Sequence, residues 1–247
     1  MKQITSIQHP LVKHLVRLRE DRAYRYEHNS IFIEGVKLVG EVVRTCPPKA
    51  VLVTAETLIP KNIQHSTVVL VSDAVLKKVS GAISPEGIAA EVSMPKPQKL
   101  GKMEYVVALD GVSDPGNMGT LLRTALALGW QGAFLLPTCC DPFNDKAIRA
   151  GRGAQFRLPI CFGTADELKR LSQVNSWQAF VADVNGTLLS KVAPAKGRLL
   201  VLGNEAHGPS SAVCGFCERI TIPMPGEMES LNVAIAGAIL MYALTNK

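Results

Sequence analysis

Five short strand-like runs, four of them wholly apolar, recur along the C-terminal part of the chain at 105–109, 133–136, 179–182, 199–202 and 219–222. Helical stretches lie between them. Runs without a polar side are buried on both faces, and a helix between two such strands returns the chain to the same edge, so the strands pair in parallel. The pattern predicts an α/β domain with a Rossmann-like, mostly parallel sheet. In open sheets of that kind, ligands gather at the C-terminal ends of the strands. The loops that leave those ends are therefore where chemistry should be sought.

Three of these loops are polar and rich in turn residues. After 105–109 comes Asp-Gly-Val-Ser-Asp-Pro-Gly-Asn-Met-Gly, and then a helix expected over 120–128 that Gly129 closes. Asn117 and Arg123 stand just before and just inside that helix. After 199–202 comes Gly-Asn-Glu-Ala-His-Gly-Pro, which carries Asn204, Glu205 and His207. The third is Ile222-Pro-Met-Pro-Gly-Glu-Met-Glu-Ser-Leu-Asn. Pro223 and Pro225 fix φ and remove donors, so this loop is expected to be stiff. Ser230 is the expected N-cap of a helix over 232–244 with an Ala/Gly face.

Taken in order, the three loops resemble the three motifs of the SpoU (TrmH-type) branch of the SPOUT RNA methyltransferases. Asn117, Gly119 and Arg123-Thr-Ala match the first motif, Gly203-Asn-Glu the second, and Ile222-Pro-Met with Ser230-Leu-Asn-Val-Ala the third. Ala206 departs from the pattern, since many members have Gly there, and this bears on the φ angle of the turn. The resemblance implies a C-terminal trefoil knot, which chain topology alone would never predict. It implies S-adenosyl-L-methionine as cofactor, held by Gly203, Ile222, Met224 and Leu231. It also implies transfer of the methyl group to a ribose 2′-hydroxyl by a set comprising Asn117, Arg123, Glu205, Ser230 and Asn232. Members of the family are proposed to use this Arg as a base. A guanidinium, which holds its proton firmly, suits phosphate binding and oxyanion stabilisation better. Asp183, after the run 179–182, is either a cavity-rim residue or a turn Asp ahead of Asn185-Gly186.

The segment Ser93-Met-Pro-Lys-Pro-Gln-Lys-Leu-Gly-Lys lacks apolar periodicity and marks a linker. The expected domains are 1–94, a linker over 95–102, and 103–247. Residues 1–102 hold 15 Lys/Arg against 9 Asp/Glu, and residues 103–247 hold 12 of each, so the whole formal charge of +6 lies in the first part. A basic module beside a neutral one suggests polyanion binding. Within it, helices are expected over 10–19 and 35–44 and, capped by Asp73, up to Val79; strands are expected over 30–34, 50–54 and 67–71. Leu11, Leu15 and Leu18 form the inner face of the first helix, with Lys13 and Arg17 outside. The runs Ile4-Thr-Ser-Ile-Gln-His-Pro-Leu-Val-Lys, Phe32-Ile-Glu-Gly and Ser84-Pro-Glu-Gly-Ile resemble the ribosomal-protein-L30e-like substrate domain that precedes many SpoU domains, with His9 where Asn is usual.

An RNA backbone track is expected on Lys146, Arg149, Arg152 and Arg157, joined by Lys13 and Arg17. Cys214-Gly-Phe-Cys217 has the spacing of half a zinc site or a redox pair, but the only other close pair, Cys139-Cys140, is poor ligand geometry. The expectation is inward-facing apolar thiols on a helix and no metal. The N-terminus lacks a secretory h-region, and no apolar run approaches the ~20 residues needed to span a membrane, so the cytoplasm is the expected compartment. The reading from sequence is an RNA 2′-O-ribose methyltransferase, with rRNA expected over tRNA, acting as a homodimer through the all-round apolar helix at 232–244. The alternative is a non-catalytic RNA-binding or ribosome-associated protein that keeps the fold.

Overall fold

In the computed structural model, residues 2–245 are described except for 62, 65, 66 and 193–195. The chain divides into two units, residues 1–96 with 143–149, and residues 97–142 with 150–247.

The first unit is built on a mixed sheet of order β1-β4-β3-β5-β2, from Lys2–Ile4 (β1), Ser30–Glu34 (β2), Pro48–Val53 (β3), Val68–Val71 (β4) and Ile88–Ser93 (β5). β4 runs parallel to β1 and β3, whereas β5 runs antiparallel to β3 and β2. Helix α1 (Pro10–Glu20) packs Val12, Leu15 and Leu18 into a core with Leu52, Val71, Leu76 and Val79. Val12 thus takes the innermost place expected of Leu11, which is only partly buried. Helix α2 (Arg22–His28), absent from the sequence reading, begins where the Asp21 side chain accepts the Tyr24 amide. Its buried Arg25 donates from Nη1 to the carbonyls of Leu18 and Arg19 at 2.8 and 2.9 Å, which satisfies the end of α1. Helix α3 is Val36–Val42. Helix α4 (Asp73–Ser80) is capped by Ser72 rather than Asp73, which sits in the first turn.

The second unit holds a fully parallel sheet of order β11-β9-β10-β6-β7-β8. Its strands are Tyr105–Leu109 (β6), Gly132–Leu135 (β7), Ile160–Phe162 (β8), Gln178–Leu188 (β9), Arg198–Leu202 (β10) and Glu218–Thr221 (β11). Val106, Ala108, Leu199, Val201 and Val181 fill one face with Phe134 and Trp177. That face is covered by α7 (Ala165–Val174), which opens on a reciprocal Thr164–Glu167 cap, and by α8 (Ser211–Cys214). On the other face lie α5 (Pro115–Ala127) and α9 (Val233–Thr245). α9 crosses closely at Gly237, where a Cβ would stand 2.4 Å from Leu121 and 2.7 Å from Leu202. Two side chains fasten its C-terminus: Trp130 Nε1 donates to Thr245 Oγ1 at 3.0 Å, and the buried Arg198 donates to the Leu244 carbonyl.

Chain order reverses between β6 and β10. After β6 the chain moves outward through β7 and β8, then returns to build β9, β10 and β11 on the other side. The crevice at the C-terminal ends of β6 and β10 is thus the switch point where such sheets bind ligands.

Candidate functional site

The loops that leave β6 and β10 are tied to each other by their own polar groups. Asp110, buried at the end of β6, accepts the Ser210 amide at 2.7 Å. Asn204, at the end of β10, donates from Nδ2 to the Gly111 carbonyl at 2.7 Å. Its Oδ1 accepts the amides of Ala206 and His207 at 2.9 and 3.0 Å. The backbones of Asn204 and Gly208 pair with each other, so the loop closes on itself. Gly203 permits this closure: a Cβ there would lie 2.3 Å from Pro209 N and 2.6 Å from Gly208 C. The positive φ falls on Gly208, at +69°, and not on Ala206, so the departure at Ala206 has no backbone consequence.

Helix α5 starts at Pro115, five residues before the expected start, because Asp114 accepts the Asn117 amide at 2.7 Å and Pro115 occupies the first helical position. Asn117 therefore lies in the first turn of the helix, not ahead of it. Its side chain joins the three loops. Asn117 Nδ2 donates to Glu205 Oε1 at 2.9 Å, and Asn117 Oδ1 accepts from Asn232 Nδ2 at 3.1 Å. Asn232 Oδ1 in turn accepts the amides of Ala234 and Ile235, so Asn232 caps α9 in place of Ser230. A side-chain amide can accept at one end and donate at the other, which lets a pair of Asn residues relay a connection that two carboxylates could not.

Burial alone would raise the Glu205 carboxyl; the Asn117 hydrogen bond and the amides around Glu205, Ser113 and Asp114 outweigh it and hold the group below the usual carboxylate range. Ser113 adds its hydroxyl to Glu205 Oε2 at 3.3 Å. Of the two roles open to Glu205 in the sequence, orienting Arg123 or another donor, the structure shows the second: its carboxylate engages Asn117 and Ser113. Arg123 stands exposed on α5, with no hydrogen-bond or ion-pair partner among the described residues.

Beside this network lies a cavity of about 540 Å³, inside the range of small-molecule sites, which runs from about 300 to 1,000 Å³. Gly203, Ile222, Met224 and Leu231 line it, together with Glu205 and Ser230. Leu202, Ile220, Val233 and Leu240 supply apolar wall, while Asp183, Glu229 and Arg219 supply charge. Asn117, Arg123 and Asn232 are not part of its lining. An apolar wall, polar backbone at a glycine loop and carboxylates suit a ligand with both an apolar and a cationic part.

Residues 104–242 match the model of the SpoU rRNA Methylase family, and residues 9–90 match that of the MRM3-like substrate binding domain. The chain belongs to the SpoU rRNA methylase family. It is 34% identical over 253 residues to the 23S rRNA (guanosine(2553)-2′-O)-methyltransferase RlmP of Bacillus subtilis, with 99% of each chain covered. Over 141 residues it is 37% identical to the 23S rRNA (adenosine(1067)-2′-O)-methyltransferase of Streptomyces laurentii, covering 56% of this chain and 52% of the other. Among solved structures, the AdoMet-bound rRNA methyltransferase from Sinorhizobium meliloti superposes with a TM-score of 0.88 at 27% identity, over 99% of this chain and 97% of that one.

The remaining candidates are spread over both units of this SpoU chain. Lys13 and Arg17 are exposed on α1, and Arg17 lies over the Tyr24 ring at 4.0 Å with Asp21 at 3.8 Å. Lys146 and Arg149 are exposed on α6 (Asp145–Gly151), which groups with the first unit, and Arg149 is paired to Asp145 at 2.7 Å. Arg152, at φ +47°, and Arg157 are exposed in the second unit. Cys214 ends the short α8 and Cys217 lies buried past it, so the pair does not share two turns of a helix as expected. Burial, and the neighbouring Cys214, push the Cys217 thiol up to about 12. No group of His, Cys, Asp or Glu suited to a metal occurs among the described residues. The sequence reading also missed Asp110 and Arg219. Asp110 is one acidic residue at a strand end among many turn residues. Arg219 acquires meaning only through its distant partner.

Proposed function

We propose that this protein is an S-adenosyl-L-methionine-dependent RNA 2′-O-ribose methyltransferase acting on rRNA. The observation that carries the reading is the Asn232–Asn117–Glu205 relay, which locks three loops at the switch point of the sheet beside a cavity of cofactor size. The AdoMet bound by the Sinorhizobium meliloti structure and the rRNA 2′-O-methylation named for the Bacillus subtilis relative support it.

In this reading Gly203, Ile222, Met224 and Leu231 hold the cofactor, which supplies an electrophilic methyl group when bound. Arg123 offers a planar set of donors to an RNA phosphate and to the oxyanion that develops at the 2′-oxygen. Ser230, Asn117 and Asn232 position the ribose, and Glu205 keeps Asn117 in register. Lys13, Arg17, Lys146, Arg149, Arg152 and Arg157 carry the RNA backbone. The knot of the SPOUT fold and a cytoplasmic location, consistent with six free cysteines, belong to the same reading.

The protein acts as a homodimer. Ile235, Ile239 and Tyr242 of α9 are 54%, 39% and 62% exposed and follow one another at helical spacing, a stripe that a single chain leaves in water.

The test is methyl transfer from labelled cofactor to ribosomal RNA, with 2′-O-methyl positions mapped in RNA from cells that lack the gene. A modification present in wild-type rRNA, lost on deletion and restored by the purified protein is the expected result. Binding of rRNA without binding of cofactor would instead leave the non-catalytic alternative.

A further inference from the structure

β9 leaves the sheet at its functional end. Its residues pair with β11 up to Val181 and again from Thr187, so residues 182–186 stand outside that ladder. Gly186 makes the return possible, since a Cβ there would stand 2.6 Å from the Ile220 backbone. The chain between is therefore not the free Asn-Gly turn that the sequence suggested but a bulge, pinned where the Thr221 hydroxyl donates to the Val184 carbonyl at 3.3 Å. Bulges of this kind re-aim side chains at sites. Here the bulge brings Ala182, Asp183 and Val184 to the cavity wall.

Asp183 is fixed at both oxygens. Oδ1 accepts the Asn185 amide at 2.9 Å, and Oδ2 lies 3.2 Å from Nη1 of Arg219. Its side chain is 14% exposed. A carboxylate has about four acceptor positions, so these contacts leave room for further donors. Among the described lining residues, Glu205 and Glu229 have no cationic partner, whereas Asp183 is already neutralised by Arg219. Cationic groups of a ligand gain more from Glu205 and Glu229. The Asp183–Arg219 pair instead suits donors without charge. Of the uncharged donors on an adenosyl ligand, the two vicinal ribose hydroxyls match the two oxygens of a carboxylate, while the adenine amine offers its donors from one nitrogen.

We infer that Asp183 reads the ribose hydroxyls of the adenosyl cofactor and that Arg219 positions Asp183 to do so. The inference rests on the proposed use of the cavity for S-adenosylmethionine.

Titration calorimetry on the full chain tests it, with S-adenosylhomocysteine, its 2′-deoxy and 3′-deoxy analogues, and its inosine counterpart, which lacks the amine. Wild type should prefer S-adenosylhomocysteine to the deoxy analogue by roughly 10- to 100-fold, the scale of a hydrogen bond to a charged group. Asp183→Ala should weaken S-adenosylhomocysteine by at least that factor and weaken each singly deoxy analogue, which keeps one hydroxyl, by less, so that the preference disappears. Arg219→Gln should narrow the preference and Arg219→Lys should restore most of it. A bulge that served only as structure would weaken all ligands equally and leave the preference unchanged in Asp183→Ala, which overturns the inference. Loss of discrimination against the inosine counterpart alone overturns it too, since the carboxylate would then read the base. Wild-type protein that binds none of these ligands would instead sink the cofactor reading itself.

Discussion

Arg123 and Glu205 show how differently two charged residues of the proposed site are treated. Arg123 is exposed and has no protein partner among the described residues, so its donors are uncommitted. Its value lies in geometry, because a guanidinium presents a fork of donors where an ammonium presents a point charge. Arg123→Lys should lower single-turnover methyl transfer by roughly 10²-fold or more, the scale of losing one oriented transition-state donor. Cofactor affinity, measured separately by calorimetry, should hardly change, because Arg123 is not part of the cavity lining. Transfer near the wild-type rate removes Arg123 from the chemistry. Glu205, by contrast, is committed. Its depressed carboxyl means that the contacts to Asn117 and Ser113 stabilise the fold above the ordinary carboxylate pKa of ~4.3 and are lost as pH falls through the lower folded value. A carbon-13 titration of the Glu205 carboxyl should give a midpoint below ~4.3 in the wild type and move it upward in Asn117→Ala. A midpoint that ignores Asn117 would show the relay to be incidental.

At the scale of elements, the site depends on loops that fold because single residues let backbones approach. Gly203→Ala would place a Cβ 2.3 Å from Pro209 N, and the obstacle is backbone rather than a side chain that can swing away. The β10 loop should fail to close, with cofactor affinity falling by at least tenfold while the circular-dichroism spectrum of the helices persists. Retained affinity would mean that the loop is not what shapes the cavity. Strands β6 and β10 were legible in the sequence because burial on both faces gives an unbroken apolar run, and all five residues of β10 are buried. β8, only three residues long, and β1 carry too short a pattern to stand out. β9 was cut short at 182 because its bulge breaks the alternation and Asn185-Gly186 imitates a turn. The start of α5 was misplaced because Pro115 and Gly116 look like breakers until Asp114 is seen to cap them. The site residues that carry motif identity were legible one at a time. Their connections were not, because Asn117 meets Glu205 across 88 positions and Asn232 across 115. Separation along the chain, though shorter, also hid the Asp183–Arg219 pair.

At the scale of the whole molecule, two surfaces remain to be matched with partners. The α9 stripe is the first. Ile235→Glu with Ile239→Glu places charge on residues that α9 leaves exposed, so the fold should survive while sedimentation shifts the protein from dimer to monomer. Wild-type protein that is already monomeric at micromolar concentration would overturn the dimer. The second surface is the basic one, and deleting residues 1–96 is a poor way to test it. Residues 143–149 belong to that same unit, with Phe143 beside Tyr26 and with Phe143, Ala147 and Ile148 buried, so the deletion would uncover apolar side chains. Substituting single charges is cleaner. Lys13 and Lys146 are exposed and have no ion-pair partner among the described residues, unlike Arg17 and Arg149, which are tied to Asp21 and Asp145. If both lysines meet RNA phosphates, each releases counterions on binding. Removing it should then lower the slope of log affinity against log salt by about 0.7–0.9. Lys13→Ala with Lys146→Ala should therefore weaken rRNA binding at low salt, flatten its salt dependence by about 1.4–1.8, and leave S-adenosylhomocysteine affinity unchanged, because neither residue lines the cavity. An unaltered slope would place the RNA elsewhere on the protein, and a loss of cofactor affinity would show that the two units are not independent in their binding.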